Sequence, residues 1–244
     1  MPLDCREMIL SNNYYDAITD YPVWALEGLQ EDICHLNIDN LYNALYFERS
    51  LLRDVQDYFF SYRSVPKLFG LMQEGGGIGG FDPNSLIASG ITQVQRAPLS
   101  LTGRGVVICF IDTGIDYTSP VFRREDGSSR ILAIWDQTIQ TGTPLQGVQY
   151  GTEYKNEDID AALGAEDPYS IVPSRDEIGH GSSLASAAAG SQLNGGYGFQ
   201  SAAPDADIVV VKLKECKPYL REFFMVHRGV PAYQENDIMM AVQY

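Results

Sequence analysis

The sequence is poor in positive charge, in histidine and cysteine, and in long apolar runs. It sets 17 basic residues against 32 acidic ones, a net charge of −15 over 244 residues. So negative a surface repels phosphate backbones and anionic lipid headgroups, which argues against nucleic acid and membranes as partners. No stretch approaches the ~20 apolar residues that cross a bilayer. The opening Met1-Pro2-Leu3-Asp4-Cys5-Arg6-Glu7 lacks the basic start and apolar stretch of a secretory signal. The four cysteines, Cys5, Cys34, Cys109 and Cys216, form no C-x-x-C pair and no zinc-type spacing, which predicts free thiols in a reducing compartment. Cys109, inside an apolar run, is expected to be a small core residue.

What is present divides into two halves of different texture, with a seam between Gly75 and Thr102. Before the seam the signals are helical. From Asp39 or Asn40 as N-cap, apolar residues recur at Leu41, Leu45, Leu52, Val55 and Phe59 with charges between them, which predicts an amphipathic helix. The run Gly75-Gly76-Gly77-Ile78-Gly79-Gly80 contains G-x-G-x-x-G, but residues 68–74 do not read as the strand a nucleotide loop requires. These glycines read as a flexible connector.

After the seam, short apolar strands alternate with helices, the pattern of a doubly wound parallel α/β sheet. Residues 106–111 form a near-continuous apolar run, as in a strand covered on both faces. Residues 131–135 and 207–213 are further strands, and residues 181–190 and 235–244 are helices. The acidic stretch 153–177 lacks an EF-hand ligand pattern, so it reads as a solvated surface insertion and no calcium site is indicated.

The chemistry-bearing residues lie where open α/β sheets place their ligands, at the carboxyl ends of strands. The strand 106–111 delivers Asp112 into the turn Asp112-Thr113-Gly114-Ile115-Asp116. A buried carboxylate needs a partner or it takes up a proton, and the downstream candidate is His180, flanked by Gly179 and Gly181. Asp116 reads as a turn carboxylate. Ser182 reads as a helix-start hydrogen bonder. His35 and His227 have no partner motif.

At these residues the chain resembles the subtilases, the subtilisin-like serine proteases. Ile111-Asp112-Thr113-Gly114-Ile115-Asp116 is similar to their aspartate motif. Gly179-His180-Gly181, with Ala185 and Ala189-Gly190, is similar to their histidine motif. The order Asp then His agrees as well, and Gly198-Phe199-Gln200-Ser201-Ala202-Ala203-Pro204 is similar to the segment that precedes a sheet strand in the family. Tyr117-Thr118-Ser119-Pro120, Ile134-Trp135-Asp136-Gln137-Thr138 and Tyr150-Gly151-Thr152-Glu153-Tyr154 resemble the clostridial germination-protease group in particular.

The resemblance implies a subtilisin-like catalytic domain from residue 98 to residue 244, incomplete at its carboxyl side. It also implies a smaller helix-containing pro-region over residues 1–97, itself a candidate partner that assists folding and blocks the cleft. It implies a serine-type endopeptidase acting on polypeptides, with Asp112 and His180 as triad members, no cofactor needed for catalysis, and a cytoplasmic or spore location. Neither the asparagine motif nor the G-T-S-x-A-x-P serine motif of the family occurs in the chain. The nucleophile is therefore expected beyond Tyr244, and these residues alone are expected to be inactive. The family usually has threonine, histidine and glycine where Ser182, Ser183 and Ser186 stand, and some members of the group are pseudoproteases. The alternative is accordingly a non-catalytic fragment that binds or signals, for example in spore germination. Asp112-Thr113-Gly114 also spells the motif of aspartic proteases, but those are mostly β, whereas this chain alternates strand and helix.

Overall fold

The computed structural model describes residues 5–20, 33–51, 63–71, 83–142, 144–145, 147–191 and 201–244. The chain forms two compact units, one of Met1–Leu71, Gln140–Gly151 and Lys214–Tyr244, the other of Met72–Ile139 and Thr152–Leu213.

In the first unit, helix α1 (Cys5–Leu10) precedes the strands β1 (Tyr14–Thr19), β2 (Ile33–Asn37), β3 (Asn43–Glu48) and β4 (Arg63–Ser64). They make an antiparallel sheet in the order β2-β3-β1-β4. The helix expected from Asp39 or Asn40 onward is thus a hairpin strand over residues 43–48. Asp39 does not cap a helix. Its Oδ1 accepts the N–H groups of Leu41 (2.7 Å) and Tyr42 (2.6 Å), an Asx turn that reverses the chain. Leu41, expected on a buried helix face, is 67% exposed. Six residues of mixed apolar pattern suit either period, and pairing with β1 and β2 decides for the strand. Leu52, Val55 and Phe59 lie outside the described residues, as does the glycine connector.

A short strand β5 (Leu68–Gly70), where none was expected, pairs with β10 (Ala232–Gln234). The helix α7 (Glu235–Gln243) begins directly after β10 and agrees with the expected one. The thiol expectation needs correction, because Cys5 and Cys34 form a disulfide. Helix α1 packs against β2 and brings their Cα atoms to 5.4 Å, inside the bridging range. Sequence spacing gave no sign of this. The reducing compartment inferred from four free thiols loses its basis, since only Cys109 and Cys216 are free.

Beneath this sheet lies a buried ionic network. Lys217 donates to Asp16 Oδ1 at 2.5 Å and to the carbonyl of Met8 at 2.9 Å. Gln234 donates to Asp16 Oδ2 at 2.7 Å, Tyr150 donates to Asp237 at 2.9 Å, and Lys214 pairs with Asp237. Burial pushes the Asp237 carboxyl up, with Lys214 opposing, and the Lys217 ammonium down, with Asp16 opposing.

The second unit starts with the short helices α2 (Pro83–Ala88) and α3 (Ile91–Gln95) and builds a four-stranded sheet in the order β6-β9-β7-β8. Strands β6 (Val107–Asp112), β9 (Asp207–Lys212) and β7 (Ile131–Asp136) are parallel, and β8 (Thr152–Lys155) is antiparallel to β7. The expected parallel α/β sheet is therefore mixed at one edge. Helices α4 (Asn156–Leu163) and α5 (His180–Ala189) supply Ile159, Ala162, Ala185 and Ala189 to one core with Ile134 and Ile208. The acidic stretch is not a solvated insertion: β8 extends the sheet, and Ile159 and Val172 are fully buried. Strand β6 is not covered on both faces either. It is an edge strand among the described residues, with Val107 53% exposed and Cys109 exposed rather than in the core. An apolar run reports the tendency to be covered, and its place in the sheet decides whether it is. No helix of the described residues is long and apolar enough to cross a membrane. Helix α6 (Pro218–Phe223) belongs to the first unit.

Candidate active site

Asp112 closes β6, and the parallel register sets Lys212 of β9 beside it and Asp136 of β7 beside Lys212. Three strand ends thus present a carboxylate, an ammonium and a carboxylate side by side on one rim. Asp112 is largely buried, and its Oδ1 accepts the N–H of its own neighbour Thr113 at 2.7 Å. The same oxygen lies 2.8 Å from Nδ1 of His180, the first residue of helix α5. Both side chains keep only a small exposed fraction, 11% for Asp112 and 15% for His180, so little water competes for that bond.

Two glycines make the approach feasible. Gly179 precedes the helix with φ +84°, a left-handed conformation that other side chains adopt at a cost. Gly181 packs so closely on the turn after β6 that a Cβ there would lie 2.2 Å from the Gly114 carbonyl oxygen and 3.2 Å from Asp112. The helix start and the turn touch backbone to backbone, which is how an imidazole on one element reaches a carboxylate on the other.

Around the pair, Asp136 is fully buried and accepts the Ser174 hydroxyl at 2.6 Å and the Thr138 N–H at 2.8 Å. Lys212 lies 4.0 Å from Asp136 and donates to the Arg175 carbonyl (2.6 Å) and to Glu177 (2.8 Å). Burial acts to raise the Glu177 carboxyl, but the Lys212 hydrogen bond and charge outweigh it and hold Glu177 below its ordinary range.

The two residues singled out from sequence, Asp112 and His180, are therefore brought within a hydrogen bond. Asp116 is a turn carboxylate, accepting the Thr118 N–H (3.1 Å) and hydroxyl (2.6 Å). Ser182 is the helix-start hydrogen bonder, its hydroxyl donating to Asp176 at 2.6 Å. His227 accepts the Gly229 N–H at 3.1 Å, and His35 sits on β2. Sequence reasoning passed over Thr113, Asp176 and Lys212. Asp176 carried one usable signal: a carboxylate just before a helix start is a ready acceptor for the helix's first N–H groups.

An imidazole whose Nδ1 donates to a buried carboxylate is fixed in one tautomer, and its Nε2 is then an acceptor able to take a proton from a nucleophile. Among solved structures, the CspB protease of Clostridium perfringens is 34% identical, with a TM-score of 0.47 over 55% of this chain and 26% of that one. The chain thus spans about a quarter of that protein's length. No curated protein matches. The sequence model of the Subtilase family matches residues 103–226, which take in β6, the Asp112 turn, His180 and β9. With just over half of the 244 residues matched, the chain belongs to the subtilase family.

Proposed function

We propose that this chain carries the aspartate and histidine of an Asp-His-Ser triad and serves a serine-type endopeptidase. The observation behind the reading is the 2.8 Å contact between His180 Nδ1 and Asp112 Oδ1 at the carboxyl rim of a parallel sheet. His180 Nε2 takes the proton of a serine hydroxyl as it attacks a peptide carbonyl, then returns it to the leaving amine. Asp112 holds the imidazole tautomer and stabilises the imidazolium. The serine and the oxyanion donors are supplied from sequence beyond Tyr244, in keeping with the Asp, His, Ser order of the family. Residues 1–97 act as a pro-region, the substrate is a polypeptide, and the likeness to the germination-protease group points to processing during spore germination.

A second reading has its own support. Ser182, Ser183 and Ser186 depart from the residues usual in the family, and the Ser182 hydroxyl is already engaged by Asp176 and the Asp116 N–H. A non-catalytic relative that binds or signals would tolerate these changes. Labelling of the whole protein with a serine-directed fluorophosphonate separates the two. A protease is labelled, and Asp112→Asn slows labelling by roughly 10⁴ and His180→Ala by roughly 10⁶. Labelling that His180→Ala leaves unchanged refutes the triad, and a folded wild-type protein that takes no label even once cleaved after residue 97 favours the second reading.

A further inference from the structure

Asp176 stands four residues before His180, and both of its oxygens are engaged. Oδ1 accepts the Thr113 hydroxyl at 2.7 Å and the Gly179 N–H at 2.9 Å. Oδ2 accepts the Ser182 N–H at 2.8 Å and the Ser182 hydroxyl at 2.6 Å. The donors come from both sides of the pair: Thr113 directly follows Asp112, while Gly179 and Ser182 bracket His180. The links continue outward. The Thr113 hydroxyl oxygen accepts the Gly181 N–H at 2.9 Å, and the Ser182 hydroxyl oxygen accepts the Asp116 N–H at 2.8 Å. One carboxylate thereby ties the turn after β6 to the first turn of helix α5.

The loop that carries it is anchored independently. Lys212 holds the Arg175 carbonyl and the Glu177 carboxylate, the residues on either side of Asp176, and is itself the sheet neighbour of Asp112. The carboxylate is thus located from the sheet before it organises anything else.

We infer that Asp176 is the positioning residue of the Asp112–His180 pair, acting through Thr113 and Ser182 to hold the two side chains at hydrogen-bond distance. The inference rests on that pair being the working dyad. Asp176 touches no reacting atom. Its acceptor-only character is the means, because four donors converge on it and an amide would turn one of its two oxygens into a donor facing donors. Burial opposes the charge, yet the hydrogen bonds from Ser182, Thr113 and the Ser182 and Gly179 N–H groups outweigh it and hold the carboxyl below its ordinary value.

The test follows the His180 Nδ1–H proton in the full chain labelled with ¹⁵N-histidine, reading its resonance and its exchange with water beside urea unfolding. Asp112→Ala, which removes the acceptor, is the reference and abolishes the resonance. Asp176→Asn and Thr113→Val each speed exchange about tenfold, the factor one lost hydrogen bond carries, whereas Thr113→Ser keeps the hydroxyl and behaves as wild type. Unchanged exchange in Asp176→Asn and Thr113→Val, with the resonance gone in Asp112→Ala, overturns the positioning role and leaves the dyad standing. A resonance that survives Asp112→Ala overturns the dyad, and the inference with it. If Asp176→Asn does not fold, the contrast between Thr113→Val and Thr113→Ser decides alone.

Discussion

Gly181→Ala isolates the contact on which the candidate site is built. Gly181 has no positive φ and lies in a helix, so propensity alone favours alanine by about 1 kcal/mol. Space argues the other way. The added Cβ would lie 2.2 Å from the Gly114 carbonyl oxygen, and reaching an ordinary separation of 3.4 Å requires the helix start and the turn to part by about 1.2 Å. Both contacting groups are backbone, so no side chain can swing aside. The same displacement would stretch the 2.8 Å bond between His180 and Asp112 toward ~4 Å, beyond hydrogen-bond length. Overpacking of this kind costs about 1 to 3 kcal/mol, and the bonds it strains about 1 kcal/mol each, so crowding outweighs propensity. Urea unfolding followed by circular dichroism should show a lower midpoint, and the His180 Nδ1–H resonance should weaken or vanish. In an active whole protein a 1 Å misplacement should cost about 10²-fold in rate. A variant as stable as wild type with that resonance unchanged would refute the close packing of helix and turn.

Lys217→Met leaves Asp16 buried without its cation and should destabilise the protein by about 3 to 5 kcal/mol in urea unfolding; a loss below about 1 kcal/mol would show that the pair is not desolvated. The Cys5–Cys34 bond closes a loop with a sequence separation of 29, so its reduction should lower stability by about 3 to 4 kcal/mol. Before reduction, the unfolded protein should expose two titratable thiols, Cys109 and Cys216, and a count of four would disprove the bond. The folded-state pKa of Asp176 lies below its ordinary value of 3.8, so its ionised form adds stability that is complete above about pH 4 to 5 and is lost as the pH falls through the folded value. The stability gap between wild type and Asp176→Asn should therefore be constant at neutral pH and close in acid; a gap that stays constant down to pH 2 would contradict the shift.

The legible parts of this protein were local. The apolar runs 106–111, 131–135 and 207–213 named three strands, because a buried strand needs little more than a few consecutive β-branched and apolar residues. The misread hairpin over 43–48 shows the limit of such windows, since six residues fit two periods and only the neighbouring strands choose between them. Exposure of Val107 and Cys109 failed for a related reason: a strand's own sequence does not state whether it sits at an edge.

By itself the sequence determined the strand that ends in Asp112 and the glycines on both sides of His180, each written within a dozen residues, and the order in which the two appear along the chain. Tertiary structure alone decided that Asp112, Lys212 and Asp136 share one rim, that Asp176 reaches from its loop to both elements, that Cys5 meets Cys34, and that β5 finds β10. All of those contacts except the six-residue step from Asp176 to Ser182 join residues far apart along the chain. Their free energy exists only once the sheet has brought the partners together, so no window of sequence can contain it.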